Sequence, residues 1–154
     1  MHRFAIVLGL CLLPVSALPQ SVQEHVHHTG HQVMPFELKK TLHLFRMTET
    51  GGVQHVVIRS VRWKNQLPLI QKHLQHEADL FRQGNFGDPA RLHGASMPGL
   101  RELSASAGKM EISYAALPNG AELVFRTGDP ALVTAIHRWF GAQLSEHGPD
   151  ARAE

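Results

Sequence analysis

The sequence is poor in cysteine, in tyrosine and in long apolar runs. It has one cysteine, Cys11, and one tyrosine in 154 residues. We expect Cys11 to be removed with a leader segment, which leaves no disulfide and no thiolate metal ligand. Beyond that segment, no run approaches the roughly 20 apolar residues that a membrane helix needs. The net charge is only +2, and no basic stripe with interleaved aromatic residues indicates nucleic-acid binding.

Residues 1–17 have the three parts of a secretory signal peptide. Met1-His2-Arg3 is basic, the residues up to Val15 are mostly apolar, and Ser16-Ala17 completes a small-residue cleavage site. We therefore expect a periplasmic or secreted protein whose processed chain begins near Leu18 and has no membrane span.

Histidine is abundant. The chain has 12 histidines, and only His2 precedes Leu18. Residues 18–35 are polar and lack a period that could bury a face, so we expect a flexible arm there. Four histidines lie in this arm: His25, His27, His28 and His31. Short His-rich tracts are typical of zinc, copper and nickel binding, whereas the alternative is a solvated, pH-sensitive tail.

The first half of the domain begins with a predicted β-hairpin. Residues 41–47 and 53–59 are β-rich and flank a Gly-containing loop. If Met47 faces Val53, one side carries the core stripe of Leu42, Leu44, Val56 and Ile58. The other side carries His43, Phe45, His55 and Val57. His43 and His55 are then diagonal neighbours roughly 7 Å apart, within reach of one ion. The alternative is that both histidines are simply half-exposed.

A helix is predicted from Gln66 to about Arg82, with its apolar stripe on that hairpin. His73, His76 and Glu77 lie on the next face of this helix. They match no zinc-protease motif, because Leu80 stands where a second histidine is required, so a solvated face is expected.

Residues 83–105 are rich in Gly and Pro and predict an irregular connector. His93 and Met97 lie within it, four residues apart on what we expect to be a loop. A histidine paired with a thioether favours copper, because thioether is a soft ligand. The alternative is that His93 binds a carbonyl group and Met97 fills the core.

The second half repeats the pattern. Residues 109–117 and 121–127 predict a hairpin around Asn119-Gly120, a type I′ turn sequence. Its expected core face carries Met110, Ile112, Tyr114, Ala116, Leu123 and Phe125. Asp129-Pro130 predicts the start of a helix that ends at His147 before Gly148-Pro149. His137 borders the apolar stripe of this helix, where a packed and hydrogen-bonded histidine is the usual outcome.

This order of segments predicts an α+β fold. Two β-β-α halves would form a four-stranded, mostly antiparallel sheet with two helices on one face. The chain divides into the signal peptide (1–17), the His-rich arm (18–35), one domain with its irregular connector (36–148) and a frayed tail (149–154).

Several blocks resemble a family of short exported bacterial proteins. They are Phe36 with Thr41-Leu42-His43, Gly51-Gly52-Val53-Gln54, Asp88-Pro89 with His93-Gly94 and Met97-Pro98-Gly99, and Ala135-Ile136-His137-Arg138-Trp139-Phe140. Members of that family are often labelled aspartate carbamoyltransferase by automatic transfer, and some are associated with metal-resistance gene neighbourhoods. A genuine aspartate carbamoyltransferase needs two α/β domains and a Ser-Thr-Arg-Thr type loop. The nearest string here is Arg59-Ser60-Val61-Arg62, so that activity is excluded.

The sequence therefore predicts an exported metal-binding protein that buffers or transfers a transition ion or confers resistance to it. Copper is favoured, with zinc or nickel as alternatives. The expected ligands are His25, His27, His28, His31, His43, His55, His93 and Met97. One alternative is an interaction module whose sheet face, with Phe45 and Val57, binds a periplasmic or membrane protein. The other is a metal-dependent hydrolase with His73, Glu77 or Asp88 as base, although no nucleophile motif is present.

Overall fold

The computed structural model describes residues 21–154. The predicted signal peptide, Cys11 and the first three residues of the arm lie outside the described residues. Within residues 21–154, no helix combines the length and apolar character that crossing a bilayer requires.

Helices and strands alternate along the described chain. In order they are α1 (Val22–Thr29), β1 (Thr41–Thr48), β2 (Gly51–Ile58), α2 (Leu67–Arg82), α3 (Gly87–His93), α4 (Leu100–Ser104), β3 (Glu111–Leu117), β4 (Gly120–Arg126), α5 (Pro130–His147) and β5 (Ala151–Ala153). Short 3-10 turns occupy Gly30–Gln32, Leu38–Lys40, Val61–Gln66 and Gly148–Asp150.

The sheet confirms the α+β class, but it has five strands among the described residues instead of four. The strand order is β3-β4-β2-β1-β5. The two hairpins meet where β2 pairs antiparallel with β4, and β5 adds a parallel strand beside β1. The prediction of a frayed tail over 149–154 is wrong, because Asp150 is buried and its carboxylate accepts a hydrogen bond from Arg59 (2.9 Å). This pairing holds the last residues on the sheet.

The predicted flexible arm is a packed helix from residue 22 onward. Ser21 caps α1, and its hydroxyl accepts a hydrogen bond from the Glu24 backbone (3.2 Å) while the Glu24 carboxylate accepts one from the Ser21 backbone (3.0 Å). Val26 is 1% exposed and α1 packs against α5. A single buried valine is too little periodicity to recognise in sequence, which explains the error.

The predicted register of the first hairpin is wrong by one residue. Met47 faces Gly52 rather than Val53, and only Glu49 and Thr50 form the loop. A Cβ at position 52 would lie 2.4 Å from the Phe140 ring, so packing against α5 requires glycine there. Because side chains alternate along a strand, this shift inverts the faces of β1 relative to β2. His43 and Phe45 consequently face the core together with Val56, whereas Leu42, Leu44 and His55 lie on the opposite face.

Both long helices cover the same face of the sheet, as predicted. Phe125 of β4 contacts Phe81 of α2 (6.1 Å between ring centroids) and Phe140 of α5 (5.7 Å). The expectation that α2 covers its own hairpin is wrong, because α2 packs mainly on β3 and β4 while α5 packs on β1 and β2. Each helix therefore packs on the hairpin of the other half, and these contacts join the two halves into one core.

The second half follows its prediction closely. Ile112 faces Phe125 and Tyr114 faces Leu123 on the core side. Asp129 caps α5 by accepting a hydrogen bond from the Ala131 backbone (2.8 Å), and α5 ends at His147. The turn differs, since Leu117 pairs with Gly120. Glycine is needed at position 120 for a close approach, because a Cβ would lie 1.9 Å from the Val56 carbonyl oxygen.

The predicted irregular connector contains two short helices, α3 and α4, separated by turns. Leu92, Met97, Leu100 and Leu103 from this segment are all buried. These apolar side chains fix the connector against α5, and they close one side of the layer between sheet and helices.

Candidate functional site: a buried histidine cavity

The structure distributes the four predicted arm histidines instead of gathering them. His25, His27 and His28 lie on α1 and His31 on the following turn, and all four are exposed. His27 pairs with Asp150 through its Nδ1 (3.3 Å). This pair attaches α1 to the end of the chain, so His27 has a structural partner.

His43 and His55 cannot share an ion, because the observed register places them on opposite faces of the sheet. His55 lies between two carboxylates, with Nε2 2.9 Å from Glu122 and Nδ1 3.0 Å from Glu154. It therefore joins β2 to β4 and to the end of the chain.

His93 and Met97 also separate. Met97 is 4% exposed and is part of the hydrophobic core, whereas His93 lines a cavity whose wall does not include Met97. His93 donates its Nδ1 hydrogen to Glu146 (2.7 Å), which leaves the lone pair on Nε2. Histidine oriented by a carboxylate in this way is typical of metal ligands.

The cavity has a volume of about 60 Å³ and lies between the sheet and helices α2, α3 and α5. Polar residues from five elements, namely β1, β2, α2, α3 and α5, line it. They are His43 and Gln54 of the sheet, His73 and Glu77 of α2, Asp88 and His93 of α3, and Gln143 and His147 of α5, with the Met34 thioether and the Trp139 indole beside them. Two of the predicted ligands, His43 and His93, are thus brought to one site.

Six buried polar atoms in the described residues have no hydrogen-bond partner, and the residues that carry them all line this cavity. They are His43 Nδ1, Gln54 Oε1, Glu77 Oε1, Trp139 Nε1, Gln143 Oε1 and His147 Nδ1. Each buried polar atom without a partner costs about 1–3 kcal/mol. Because the residues that carry these atoms all line one chamber, a polar ligand there would supply the missing partners.

Three imidazole rings form a continuous contact along the wall. The ring centroid of His147 is 4.7 Å from that of His43 and 5.1 Å from that of His93. Burial lowers the pKa of His43 to about 4, with a further lowering by His73, against the raising effect of Asp150 and its backbone. Nδ1 of His43 is buried in this wall without a hydrogen-bond partner.

The other histidines of the chamber are also held neutral. Burial lowers the pKa of His147 well below its usual value, and His43 and His93 lower it further. Burial lowers the pKa of His93 as well, although Glu146 opposes this effect. For His73 burial lowers the pKa to about 4, against the charge of Asp88. Neutral imidazole is the form that ligates metals.

A pair of carboxyl groups borders the cavity on its α2 and α3 side. Burial, followed by the charge and hydrogen bond of Asp88, raises the pKa of Glu77 to about 8. Glu77 is 5% exposed, so the predicted solvated face of α2 is wrong at this position. At neutral pH the Glu77 carboxyl is therefore largely protonated.

His137 lies outside the chamber. Its Nε2 donates to the carbonyl oxygens of Thr48 (3.0 Å) and Gly51 (2.9 Å), which confirms the expectation of a packed and hydrogen-bonded histidine. It fixes α5 to the turn of the first hairpin.

Sequence reasoning missed the α5 contribution to the cavity. Trp139, Gln143 and His147 recur every four residues and so lie on one side of α5, next to the core positions Ile136 and Phe140. A glutamine and a histidine on a buried stripe are the signal that was available. Glu77 on α2 carries the same signal, since it follows Leu74 by three residues.

The donor set fits a soft or borderline ion: neutral imidazoles, one thioether and the carboxyl groups of Glu77 and Asp88. No three His, Asp or Glu side chains in residues 21–154 already converge at coordination distance. Binding of an ion would therefore require ring rotations within the chamber.

No family model matches the chain, and neither the curated proteins nor the solved structures contain a significant match. The fold and the cavity define an α+β protein with a buried, histidine-lined chamber.

Proposed function

We propose that this protein binds a transition-metal ion, with copper favoured, in the chamber formed by His43, His93 and His147. The observation that carries the proposal is the convergence of six unpaired buried polar atoms on one cavity. Zinc and nickel are the alternatives, since imidazole suits all three ions.

The thioether favours copper. Met34 is 6% exposed and lines the chamber beside the histidines. A thioether is a soft ligand that suits Cu(I), whereas zinc and nickel sites use it rarely. In this role Met34 replaces Met97, which the sequence suggested.

The remaining polar groups suit the other ligands of a bound ion. The Trp139 Nε1–H can donate to water or to an anion on the ion, and the amide oxygens of Gln54 and Gln143 can accept from such a water. Glu77 can lose its proton when a cation binds, which offsets part of the charge of the cation, whereas the Asp88 carboxylate already pairs with Arg91 (3.1 Å).

The sequence features of residues 1–17 support export to the periplasm. There the protein would buffer the ion or transfer it to another protein. The described cavity wall contains no cysteine, serine or threonine, which argues against covalent catalysis by one of these side chains.

A direct test is calorimetric titration of the purified protein with Cu(I) under anaerobic conditions, and with Zn²⁺ and Ni²⁺ in parallel. We expect one equivalent of Cu(I) to bind with a dissociation constant below about 1 μM, and His43→Phe to weaken it at least about a hundredfold because one imidazole ligand is lost. A matched control is His55→Gln, which removes an imidazole from the opposite sheet face and should leave Cu(I) affinity unchanged.

Binding that is equal in wild type and His43→Phe, with circular dichroism confirming that both are folded, would contradict the proposal. Binding that disappears only when His25, His27 and His28 are replaced would assign the ion to α1 instead.

A second candidate function is favoured by one observation, the raised pKa of Glu77 beside His73 and Asp88. A carboxyl group poised near neutral pH suits general acid–base catalysis in a metal-dependent hydrolase. Turnover of a panel of esters and phosphate esters that requires metal and is lost in Glu77→Gln would support this function. Full metal binding without any turnover favours the binding protein.

A further inference from the structure

A surface cleft lies against the outer side of the histidine chamber. It has a volume of about 380 Å³ and lies between the segment that follows α1, helix α2 and the start of α3. Val33, His73 and Asp88 line both the cleft and the buried chamber. These three residues therefore form the wall between solvent and the chamber.

The cleft carries imidazoles at its solvent side. His31 and His76 line it and are exposed, whereas His73 in the shared wall is half-buried. Burial lowers the pKa of His73, Asp88 opposes this effect, and His76 adds a smaller lowering. Metal-ligating nitrogens thus occur at three depths: exposed, half-buried and buried.

His73 is placed to face both spaces. It is three residues before His76 on α2, so the two side chains are neighbours on one side of that helix. Its ring packs edge-on against Phe36 (5.6 Å between centroids), and Phe36 in turn contacts the His43 ring (5.9 Å). His73 and His43 therefore contact the same Phe36 ring and line the same chamber, so an ion that left His73 inward would enter the space that holds the other ligands.

We propose that this cleft is the entrance for the metal ion, an inference that rests on the proposed function. His31 and His76 bind the ion first and weakly, and His73 passes it through the shared wall to His43 and His147. Two exposed imidazoles cannot complete a coordination shell, so the ion is held loosely enough to move on. Asp88 in this wall pairs with Arg91 (3.1 Å) and Lys72 also lines the cleft, so capture of the ion rests on the imidazoles and not on a net negative charge.

Trp139 provides a selective reporter for the test. The chain has two tryptophans. Trp139 lines the chamber, whereas Trp63 lies in a 3-10 turn under Lys40 (4.6 Å from ring centroid to Nζ). In a Trp63→Phe background, quenching of tryptophan emission by Cu²⁺ reports arrival of the ion in the chamber.

The experiment is stopped-flow mixing of this Trp63→Phe protein with Cu²⁺, followed by chelator-driven release. Replacement of both His31 and His76 by alanine should slow uptake and release by the same factor, about tenfold, because an entrance changes the rates in both directions and leaves the dissociation constant unchanged. Gln75→Ala, an exposed change one residue from His76, should alter neither rate.

The outcomes separate the two proposals. Equal rates in the double variant and its parent would overturn the entrance while leaving the chamber as the binding site. A raised dissociation constant with unchanged uptake would show that His31 and His76 are equilibrium ligands, which also overturns the entrance. Absence of quenching in the parent protein with Cu²⁺ and also with Cu(I) added under anaerobic conditions would overturn the proposed function itself.

Discussion

The two ends of the layer between sheet and helices are built in opposite ways. At one end five aromatic rings pack closely: Phe81, Phe86, Phe125, Trp139 and Phe140. The rings of Phe81 and Phe86 stack at 4.4 Å, and all five residues are at most 4% exposed. At the other end, polar side chains surround a chamber and six of their atoms lack partners. The same sheet and the same two helices form both ends.

The two ends contribute to folding stability in opposite directions. Buried aromatic rings contribute both hydrophobic burial and favourable ring geometry, so the aromatic end explains why the domain folds. Buried polar atoms without partners reduce stability, so nothing about folding explains the histidine end. Phe81 and Trp139 belong to both, since their rings are part of the aromatic group and both residues line the chamber.

The largest expected effect comes from truncation at the aromatic end. Phe125→Ala should lower the free energy of unfolding by about 3–5 kcal/mol, because it leaves a cavity among rings that cannot collapse into it. Urea denaturation measures the loss, and Phe125→Leu should cost clearly less. Gln54→Ala is the matched truncation at the chamber and should cost less than about 1 kcal/mol. Equal losses at the two ends would contradict the comparison.

The pH dependence of stability should be set by the histidine end. Below pH 6.5 the unfolded chain protonates His43 and His73, whereas the folded protein does so only near pH 4, so stability falls with falling pH. Glu77 has the opposite sign, since its folded pKa of about 8 makes stability fall as pH rises above 4.5. Below pH 6.5 these two histidines, together with His93 and His147 whose pKa values burial also lowers, outweigh one carboxyl group, and above it the Glu77 effect dominates.

We therefore expect maximal stability near pH 6.5, with a loss of more than about 2 kcal/mol by pH 5 and a loss of about 2 kcal/mol by pH 8. Denaturant titrations of the metal-free protein at several pH values measure this curve. Glu77→Gln should remove the decline above pH 6.5 and retain the acid limb. A decline above pH 6.5 that persists in Glu77→Gln would show that other groups control it.

The smallest expected effect is a gain. Gln143→Leu keeps the side-chain size and removes a buried oxygen that has no partner, so it should raise the free energy of unfolding by about 1 kcal/mol. Gln71→Leu is the matched control, because the Gln71 amide donates to the carbonyl groups of Leu117 (3.1 Å) and Gly120 (3.2 Å). It should destabilise by a similar amount. Destabilisation by both changes would mean that the Gln143 amide has a partner after all.

The aromatic end was more predictable from sequence than the chamber. The β3–β4 core face and the limits of α5 follow from local signals, namely alternation along the strands and the Asp129-Pro130 cap. The faces of β1 were not predictable, because Leu42 and Leu44 on one side are as apolar as Phe45 on the other. Packing of Phe140 over Gly52 decides between them, and no local pattern encodes that contact.

The chamber depends on contacts between residues that are even further apart in the sequence. The Gly- and Pro-rich setting of His93 indicated a candidate ligand. His147, whose ring contacts that of His93, resembled an ordinary residue of the last turn of a helix. Only the meeting of α3, α5 and β1 shows that these residues share one wall. Composition indicated that histidines are abundant enough to form a site, whereas the tertiary fold determined which of them line the chamber.

The parallel pairing of β5 with β1 has a consequence for folding order. Ala151 lies opposite His43, although about 100 residues separate them in the chain. Contacts of such long range form slowly, since a large loop must close before they yield any stabilisation. The strand that carries His43 gains its second neighbour only at that stage. A refolding protein should therefore acquire its helices and hairpins first and its capacity to hold a ligand afterwards.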